Sequence, residues 1–187
     1  MGNEMGALVD PISPADEARV RKQAARLLNE ADAAGCFPTP IDRIIEVAKL
    51  RVEREALKTN FLQKLYRGMA ESVKTAVSKV RALLHLGERL ILVAEDQPDA
   101  RLPWLKAHEA GHSYMPWQRD IYLITEDCEQ SLEPTVTEQF EREANLFAGE
   151  LLFQGESLQK DAQDLAFGIM APVELKKRYG TSIYACV

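Results

Sequence analysis

The 187-residue chain has few histidines, cysteines and aromatic residues: three histidines, three cysteines and 7% aromatics. Cys36, Cys128 and Cys186 are odd in number, far apart and without a C-x-x-C pair, which indicates free thiols and argues against a disulfide framework. No apolar run is long enough to cross a bilayer, and the N-terminus lacks the apolar segment of a signal peptide. We therefore predict a cytoplasmic protein that does not act at a membrane.

The chain also has fewer positively than negatively charged residues: 23 Lys and Arg and 29 Asp and Glu, which gives a formal net charge of −6. This balance argues against a nonspecific nucleic-acid binder, which needs a basic face to contact phosphates. It does not exclude a basic protein partner. The hydrophobic content of 46% is ordinary for a folded protein. The length suits one well-cored domain, or one domain with a small appendage.

Two of the three histidines, His108 and His112, lie in a stretch that reads HEAGH, the pattern H-E-x-x-H. Positions four apart share one face of a helix, so both imidazoles can point at one tetrahedral metal ion. Glu109, beside the first histidine, is placed to take a proton from water at such a site. Pro103 favours a helix start and Pro116 a helix end, with largely apolar residues between them. The pattern predicts a buried site in a zinc hydrolase.

A catalytic zinc needs a third protein ligand, and the candidate is Glu141 in a later helical segment. Apolar residues recur with helical period between positions 140 and 152 and define a core-facing stripe. At about 100° per residue, Glu141 falls inside this stripe and Glu143 outside it. A carboxylate on an apolar face needs a strong partner such as a metal ion. Glu143 stays open as the alternative ligand, and Asn145 is placed to accept the free ring N–H of a ligating histidine.

Two motifs in this order resemble those of the ImmA/IrrE family of metallopeptidases, whose zinc sites are similar to those of gluzincins. Residues 105–112 read LKAHEAGH and residues 141–148 read EREANLFA. With residues 89–93, which read RLILV, the resemblance covers roughly the middle half of the chain, and the pair of motifs is more specific than either alone. The chain departs from the family pattern at residues 153–154, where Phe-Gln replaces the usual Met-Pro.

The resemblance implies that His108, His112 and Glu141 bind Zn²⁺ and that Glu109 is the general acid and base. It also implies a site-specific endopeptidase whose substrate is a protein partner, often a helix-turn-helix transcriptional repressor. Tyr114 and Tyr122 are the nearest candidates in sequence for a donor to the oxyanion. Two alternatives stay open: a metal-dependent hydrolase of small amides, and a non-catalytic regulatory or binding module that zinc stabilises.

The periodicities predict an α+β fold that is mainly helical, with a small antiparallel sheet packed beside the HEAGH helix in a zincin-like core. We expect an N-terminal helical region over 1–58, a metallopeptidase core over 59–155 and a C-terminal helical segment over 156–187. A last helix barely begins before Val187, which is consistent with a longer natural chain. An edge strand of the predicted hairpin offers a place for an extended peptide to pair. The predicted helices cover 14–35, 41–50, 60–79, 103–115, 138–152, 159–167 and 173–179, and the predicted strands cover 51–55, 80–84, 90–93 and 120–124.

Overall fold

A computed structural model describes residues 11–55, 82–128, 132–166, 168 and 170–186. These residues form an α+β fold in which helices dominate and a three-stranded sheet lies against them. The predicted fold class is thereby confirmed. The predicted helix over 60–79 lies outside the described residues. Among the helices that are described, none has the length and apolar character required to cross a membrane.

Helix α1 spans Pro14–Glu30 and begins where the sequence predicts. The hydroxyl of Ser13 caps it by accepting a backbone N–H of the first turn at 3.1 Å. Pro14 sits at the first helical position, where its missing N–H costs nothing. The predicted stop at Gly35 is too late, because the chain already turns through left-handed backbone at Asp32, with φ of 44°.

Helix α2 spans Ile41–Val47 and has no side-chain cap, although Thr39 precedes it much as Ser13 precedes α1. The Thr39 hydroxyl instead donates to the carbonyl oxygens of Leu151 at 3.0 Å and Leu152 at 3.3 Å. The sequence Thr39-Pro40-Ile41-Asp42 repeats the Ser13-Pro14 pattern at the start of α1 and therefore predicts a cap at Thr39, and this prediction is wrong. Carbonyls at the end of a distant helix accept the hydroxyl proton.

The sheet consists of β1 (Arg51–Glu55), β2 (Ala82–His85) and β3 (Leu90–Ala94) in the order β1-β3-β2. β2 and β3 form the predicted antiparallel hairpin. β1 pairs with β3 in parallel, so the sheet is mixed and the prediction of a purely antiparallel sheet is corrected. The central strand β3 is buried along its whole length, which explains its unbroken apolar sequence, LILVA.

Helix α3 spans Leu102–Tyr114 and carries the HEAGH motif. A short 3₁₀ turn, Asp99–Arg101, leads into it, and Pro103 lies in its first turn as predicted. The helix ends at Tyr114, because Met115 is extended and Pro116 cannot continue the hydrogen-bond ladder.

Helix α4 spans Pro116–Cys128, so the strand predicted at 120–124 is wrong. The apolar run favoured a strand, but Pro116 also fits the first position of a new helix. Gln118 is buried and Tyr122, one turn later, is half-buried, whereas Ile121 is 37% exposed. The burial follows helical spacing and not strand alternation.

Helix α5 spans Pro134–Phe153 and packs against both α1 and α3. Its apolar stripe agrees with the predicted helical period and forms the centre of the core. The α5 side chains in the core are those of Ala144, Phe147, Ala148, Leu151, Leu152 and Phe153.

Gln154, which follows α5, stands where the resembled family usually has proline. Its backbone has φ of 51°, which proline cannot adopt because its ring holds φ near about −65°. Its amide accepts the N–H of Gly35 at 2.6 Å and donates to the carbonyl oxygens of Ala33 and Cys36, both at 3.1 Å. The hydrogen bonds of Gln154, a residue that departs from the family pattern, therefore hold the loop before α2 against the end of α5.

The chain continues through α6 (Ser157–Gln163), α7 (Met170–Tyr179) and a 3₁₀ turn at Ile183–Cys186. Helix α6 begins and ends earlier than the predicted 159–167. β1, from the region predicted as N-terminal, joins the sheet of the predicted core. The region boundaries near 58 and 155 stay predictions.

Helices α3 and α5 approach each other closely at Gly111 of the HEAGH motif. A Cβ atom at this position would lie 3.1 Å from Cδ1 of Phe147 and 3.4 Å from its Cβ. Only glycine leaves that space open, so the Phe147 ring packs directly on the backbone of the histidine-bearing helix. This contact sets the spacing between the two helices that carry the candidate ligands.

We predict that Gly111→Ala destabilises the protein, because the new methyl group must displace a buried ring. The matched control is Gly149→Ala in α5, where nothing lies within 4 Å of an added Cβ. The control is expected to gain about 0.5–1 kcal/mol in the free energy of unfolding, since alanine favours helices. Gly111→Ala is expected to lie about 1–3 kcal/mol below the control.

The measurement is urea denaturation of both variants in the metal-free state. Equal stability of the two alanine variants would show that the contact between Gly111 and Phe147 does not restrict the packing of the helices.

Candidate metal centre

Helix α3 presents His108 and His112 on one face, one turn apart, as their spacing predicts. His112 is buried and His108 is half-buried, with side chains 8% and 15% exposed. Their rings meet edge to face with centroids 4.8 Å apart. The two Nε2 atoms are 3.1 Å apart, so both imidazoles point toward one position.

Glu141 reaches the same position from α5. One carboxylate oxygen lies 3.3 Å from Nε2 of His108 and the other lies 3.4 Å from Nε2 of His112. Among the residues that the structure describes, these three form a group whose ligand atoms all lie within 4.8 Å of one another. The structure thus brings together the three side chains that the sequence predicts as metal ligands.

The spacing of these atoms fits a tetrahedral zinc ion. Zinc bonds of roughly 2.0–2.1 Å to nitrogen and oxygen place tetrahedral ligands about 3.3–3.4 Å apart. The observed separations of 3.1, 3.3 and 3.4 Å lie close to this value. Two neutral nitrogens and one carboxylate are also the donor set of many catalytic zinc sites, which keep a fourth position open.

The opposite ring nitrogens of both histidines contact side-chain amide oxygens. Nδ1 of His108 lies 3.1 Å from Oδ1 of Asn145, the contact expected from the sequence. Nδ1 of His112 lies 2.7 Å from Oε1 of Gln118, a contact that the sequence did not predict. An amide oxygen can only accept, so each Nδ1 carries the proton and donates it. In the neutral rings both Nε2 atoms therefore present lone pairs to the shared position, as metal binding requires.

Charge at the cluster favours a cation. Burial lowers the pKa of His108, but its hydrogen bond to Glu141, the negative charges of Glu109 and Glu141 and its contact with Asn145 outweigh burial and raise the pKa above its ordinary value. When the imidazoles carry a second proton, on Nε2, hydrogen bonds from His108 and His112 hold the pKa of Glu141 well below its usual range, although burial opposes them. The proton on the His108 imidazole thus supplies the positive charge that a bound metal ion would otherwise supply.

Glu109 lies on the same helix and is buried. Burial raises the pKa of its carboxyl, while the neighbouring imidazoles of His112 and His108 oppose that rise.

The ring of Tyr122 packs edge-on against His112 with centroids 5.4 Å apart. Burial, followed by the charges of Glu141 and Glu109, raises the pKa of Tyr122, which keeps its phenol protonated.

The structure reverses the predicted burial of the two glutamates on α5. The Glu143 side chain is 0% exposed and that of Glu141 is 49% exposed. The predicted stripe was too narrow, because α1 packs against α5 and its Arg19 approaches Glu143 at 3.5 Å. Glu143 contacts Trp117 and Gln118 rather than the histidines, so the geometry favours Glu141 over the alternative ligand.

Tyr114, His85 and two cysteines lie outside the cluster. The Tyr114 hydroxyl donates to Glu30 at 2.8 Å, and burial followed by that hydrogen bond raises the pKa of Tyr114 to about 12. Nδ1 of His85 accepts the backbone N–H of Glu88 at 3.1 Å, in keeping with a residue of the hairpin turn. Cys36 is an exposed free thiol and Cys186 a buried one.

Gln118 is the site residue that sequence reasoning missed. Its signal was available in Pro116, which marks the start of α4 as Pro103 marks the start of α3. Because residues 120–124 were predicted as a strand, no helix was predicted at Gln118, and nothing indicated which neighbour its side chain contacts. Its contact with His112 depends on how α4 folds back onto α3, which periodicity does not encode.

Comparisons with known proteins agree with the geometry. The family model Peptidase_M78, described as the IrrE N-terminal-like domain, matches residues 66–186. A Mycobacterium tuberculosis transcriptional regulator has a similar structure, with a TM-score of 0.55 and 15% sequence identity. The similarity covers 93% of this chain and 50% of that regulator, so this chain spans about half of the regulator's length. At this identity the likeness concerns the fold alone. No curated protein matches the chain.

We predict that the metal-free protein binds one zinc ion per chain and releases a proton in doing so at low pH. Below the raised pKa of His108 its imidazole carries a proton that must leave before it can bind a cation. The apparent zinc affinity is therefore expected to rise as the pH increases toward that pKa and to level off above it. Calorimetric titration in two buffers of different ionisation enthalpy measures the protons released.

His112→Ala is expected to lose stoichiometric zinc, and Cys36→Ser, which changes an exposed thiol outside the cluster, is expected to keep it. Zinc retained in full by His112→Ala, or a proton release that does not change with pH, would place the bound ion elsewhere.

Proposed function

The chain belongs to the Peptidase_M78 family of IrrE N-terminal-like domains, and on that basis we propose that it is a zinc-dependent endopeptidase acting on a protein partner. The observation that carries this proposal is the convergence of His108, His112 and Glu141 from two helices, with ligand-atom separations of 3.1–3.4 Å. A buried carboxylate, Glu109, lies on the same helix as the two imidazoles.

We assign the binding of zinc to His108, His112 and Glu141. When bound there, the ion lowers the pKa of water toward neutrality and polarises the scissile carbonyl. Glu109 takes a proton from the attacking water and returns it to the leaving amine. Its burial suits this task, because burial raises the pKa of the carboxyl and so makes Glu109 a stronger proton acceptor than an exposed glutamate.

We assign Tyr122 as the donor that stabilises the oxyanion. Its ring lies against His112, and its raised pKa keeps the phenol protonated. Tyr114, the other candidate from the sequence, donates to Glu30 and has a structural role in this proposal.

Two features favour a polymeric substrate over a small amide. Glu141 is 49% exposed, so the cluster opens to solvent on the α5 side. Among the described strands, β2 is an outer strand of the sheet and contacts α3, which supports the alignment of an extended peptide along it. We propose a regulatory protein as the substrate, such as the helix-turn-helix repressor that the family resemblance implies.

The Glu109→Gln variant tests the enzymatic proposal. It is expected to keep zinc, because Glu109 is not a ligand, and to lose about 10²–10⁴-fold in hydrolysis, because the amide cannot accept a proton. Wild-type and variant protein, both loaded with zinc, are incubated with a cell extract of the source organism. New protein N-termini are then labelled and identified by mass spectrometry.

The wild type is expected to generate a small, reproducible set of new N-termini that the variant does not. New N-termini common to both would indicate a contaminating protease. Their absence with zinc-loaded wild type would contradict the endopeptidase and favour the non-catalytic zinc-stabilised module. Turnover of small amides alone would favour the remaining alternative.

Tyr122→Phe is expected to lower kcat by about 10²-fold with little change in KM or zinc affinity, since it removes one donor to the oxyanion. Tyr114→Phe is the matched control. It loses the bond to Glu30, which costs about 1 kcal/mol of stability, but is expected to keep kcat. Equal kcat losses in both variants, measured on the protein identified above, would reject the role assigned to Tyr122.

A further inference from the structure

Glu143 is a buried carboxylate that the proposed reaction does not use. Its side chain is 0% exposed, and every polar contact it makes in the described structure comes from a donor. One oxygen accepts from Nε1 of Trp117 and Nε2 of Gln118, both at 2.7 Å. The other accepts from Nε2 of Gln139 at 3.1 Å and from Arg19 at 3.5 Å. So complete a set of donors indicates a fixed carboxylate, because an unsatisfied one would be costly at this depth.

Glu143 and a backbone carbonyl together fix the orientation of the Gln118 amide. Nε2 of Gln118 donates to Glu143 at 2.7 Å and to the carbonyl oxygen of Phe140 at 3.2 Å. Both partners only accept, so the nitrogen of the amide must face them. The oxygen of Gln118 must then face Nδ1 of His112, which lies 2.7 Å away.

This orientation determines which nitrogen of His112 carries the proton. With an amide oxygen at Nδ1, the neutral imidazole keeps its proton there and leaves Nε2 unprotonated. Nε2 is the atom that points at His108 and Glu141. A reversed amide would present N–H groups to Nδ1, move the proton to Nε2 and block the metal-binding position.

We propose that Gln118 and Glu143 are positioning residues that hold His112 in the tautomer required for metal binding, a proposal that rests on the zinc site proposed above. Helix α1 completes the arrangement. The Arg19 guanidinium, besides approaching Glu143, lies 3.8 Å from the centroid of the Trp117 ring. Packing of α1 on α5 therefore covers the carboxylate that orients Gln118.

Three methionine substitutions of similar side-chain length test the proposal. Gln118→Met removes the acceptor at Nδ1 of His112 and is expected to weaken zinc binding by about 10–100-fold. Glu143→Met is expected to cause a smaller loss, because the Phe140 carbonyl still holds the Gln118 amide. Gln139→Met is the matched control, since it removes a donor from the other oxygen of Glu143 and is expected to leave affinity unchanged.

Two readouts are measured on each variant. Competition with a chelator gives the dissociation constant for zinc, and ¹⁵N NMR of the metal-free protein gives the tautomer of His112. In the neutral imidazole of His112, the wild type and Gln139→Met are expected to show the proton on Nδ1. Gln118→Met and Glu143→Met are expected to shift the population toward Nε2.

Wild-type affinity and an unchanged tautomer in Gln118→Met would overturn the proposal while leaving the zinc site intact. A wild type that binds no zinc would reject the proposed function instead, and the tautomer of the metal-free protein would still decide the role of Gln118. If Glu143→Met does not fold, Gln118→Met tests the same hydrogen bond with the buried carboxylate in place.

Discussion

The close packing of α3 on α5 at Gly111 is the constraint on which the site depends. A Cβ atom at position 111 would lie only 3.1 Å from the Phe147 ring. Because the two backbones come this near, Glu141 of one helix reaches the two imidazoles of the other at 3.3 and 3.4 Å. A coordination sphere leaves little tolerance in ligand position, so the close approach that Gly111 permits favours the convergence of Glu141 with the two imidazoles.

Two carboxylates two residues apart on α5 have opposite environments and different partners. Glu141 is half exposed and faces imidazoles, whereas Glu143 is buried and faces amide, indole and guanidinium donors. Burial alone is therefore a poor guide to a metal ligand. Hydrogen bonds satisfy the buried carboxylate of Glu143. The exposed carboxylate of Glu141 lies beside the two imidazoles, where its negative charge favours a bound cation.

Local sequence predicted the features that local energetics control. Ser13 caps α1, β1 has the predicted bounds, and the hairpin of β2 and β3 leads into α3 as expected. Prediction was wrong where a distant partner outweighed a local preference. Thr39 bonds to the end of α5 instead of capping α2, and the apolar run after Pro116 forms a helix. Single-element patterns contain no information about such partners.

The sequence by itself determined the chemistry of the chain: two histidines at ligand spacing, an acid beside the first and a later helix with carboxylate and amide groups. Those features depend on residue type and helical period, which are properties of one segment at a time. Only the tertiary structure decided that Glu141 rather than Glu143 meets the imidazoles, and that Gln118 orients His112. These contacts join separate helices, and their geometry is set by how whole faces pack together.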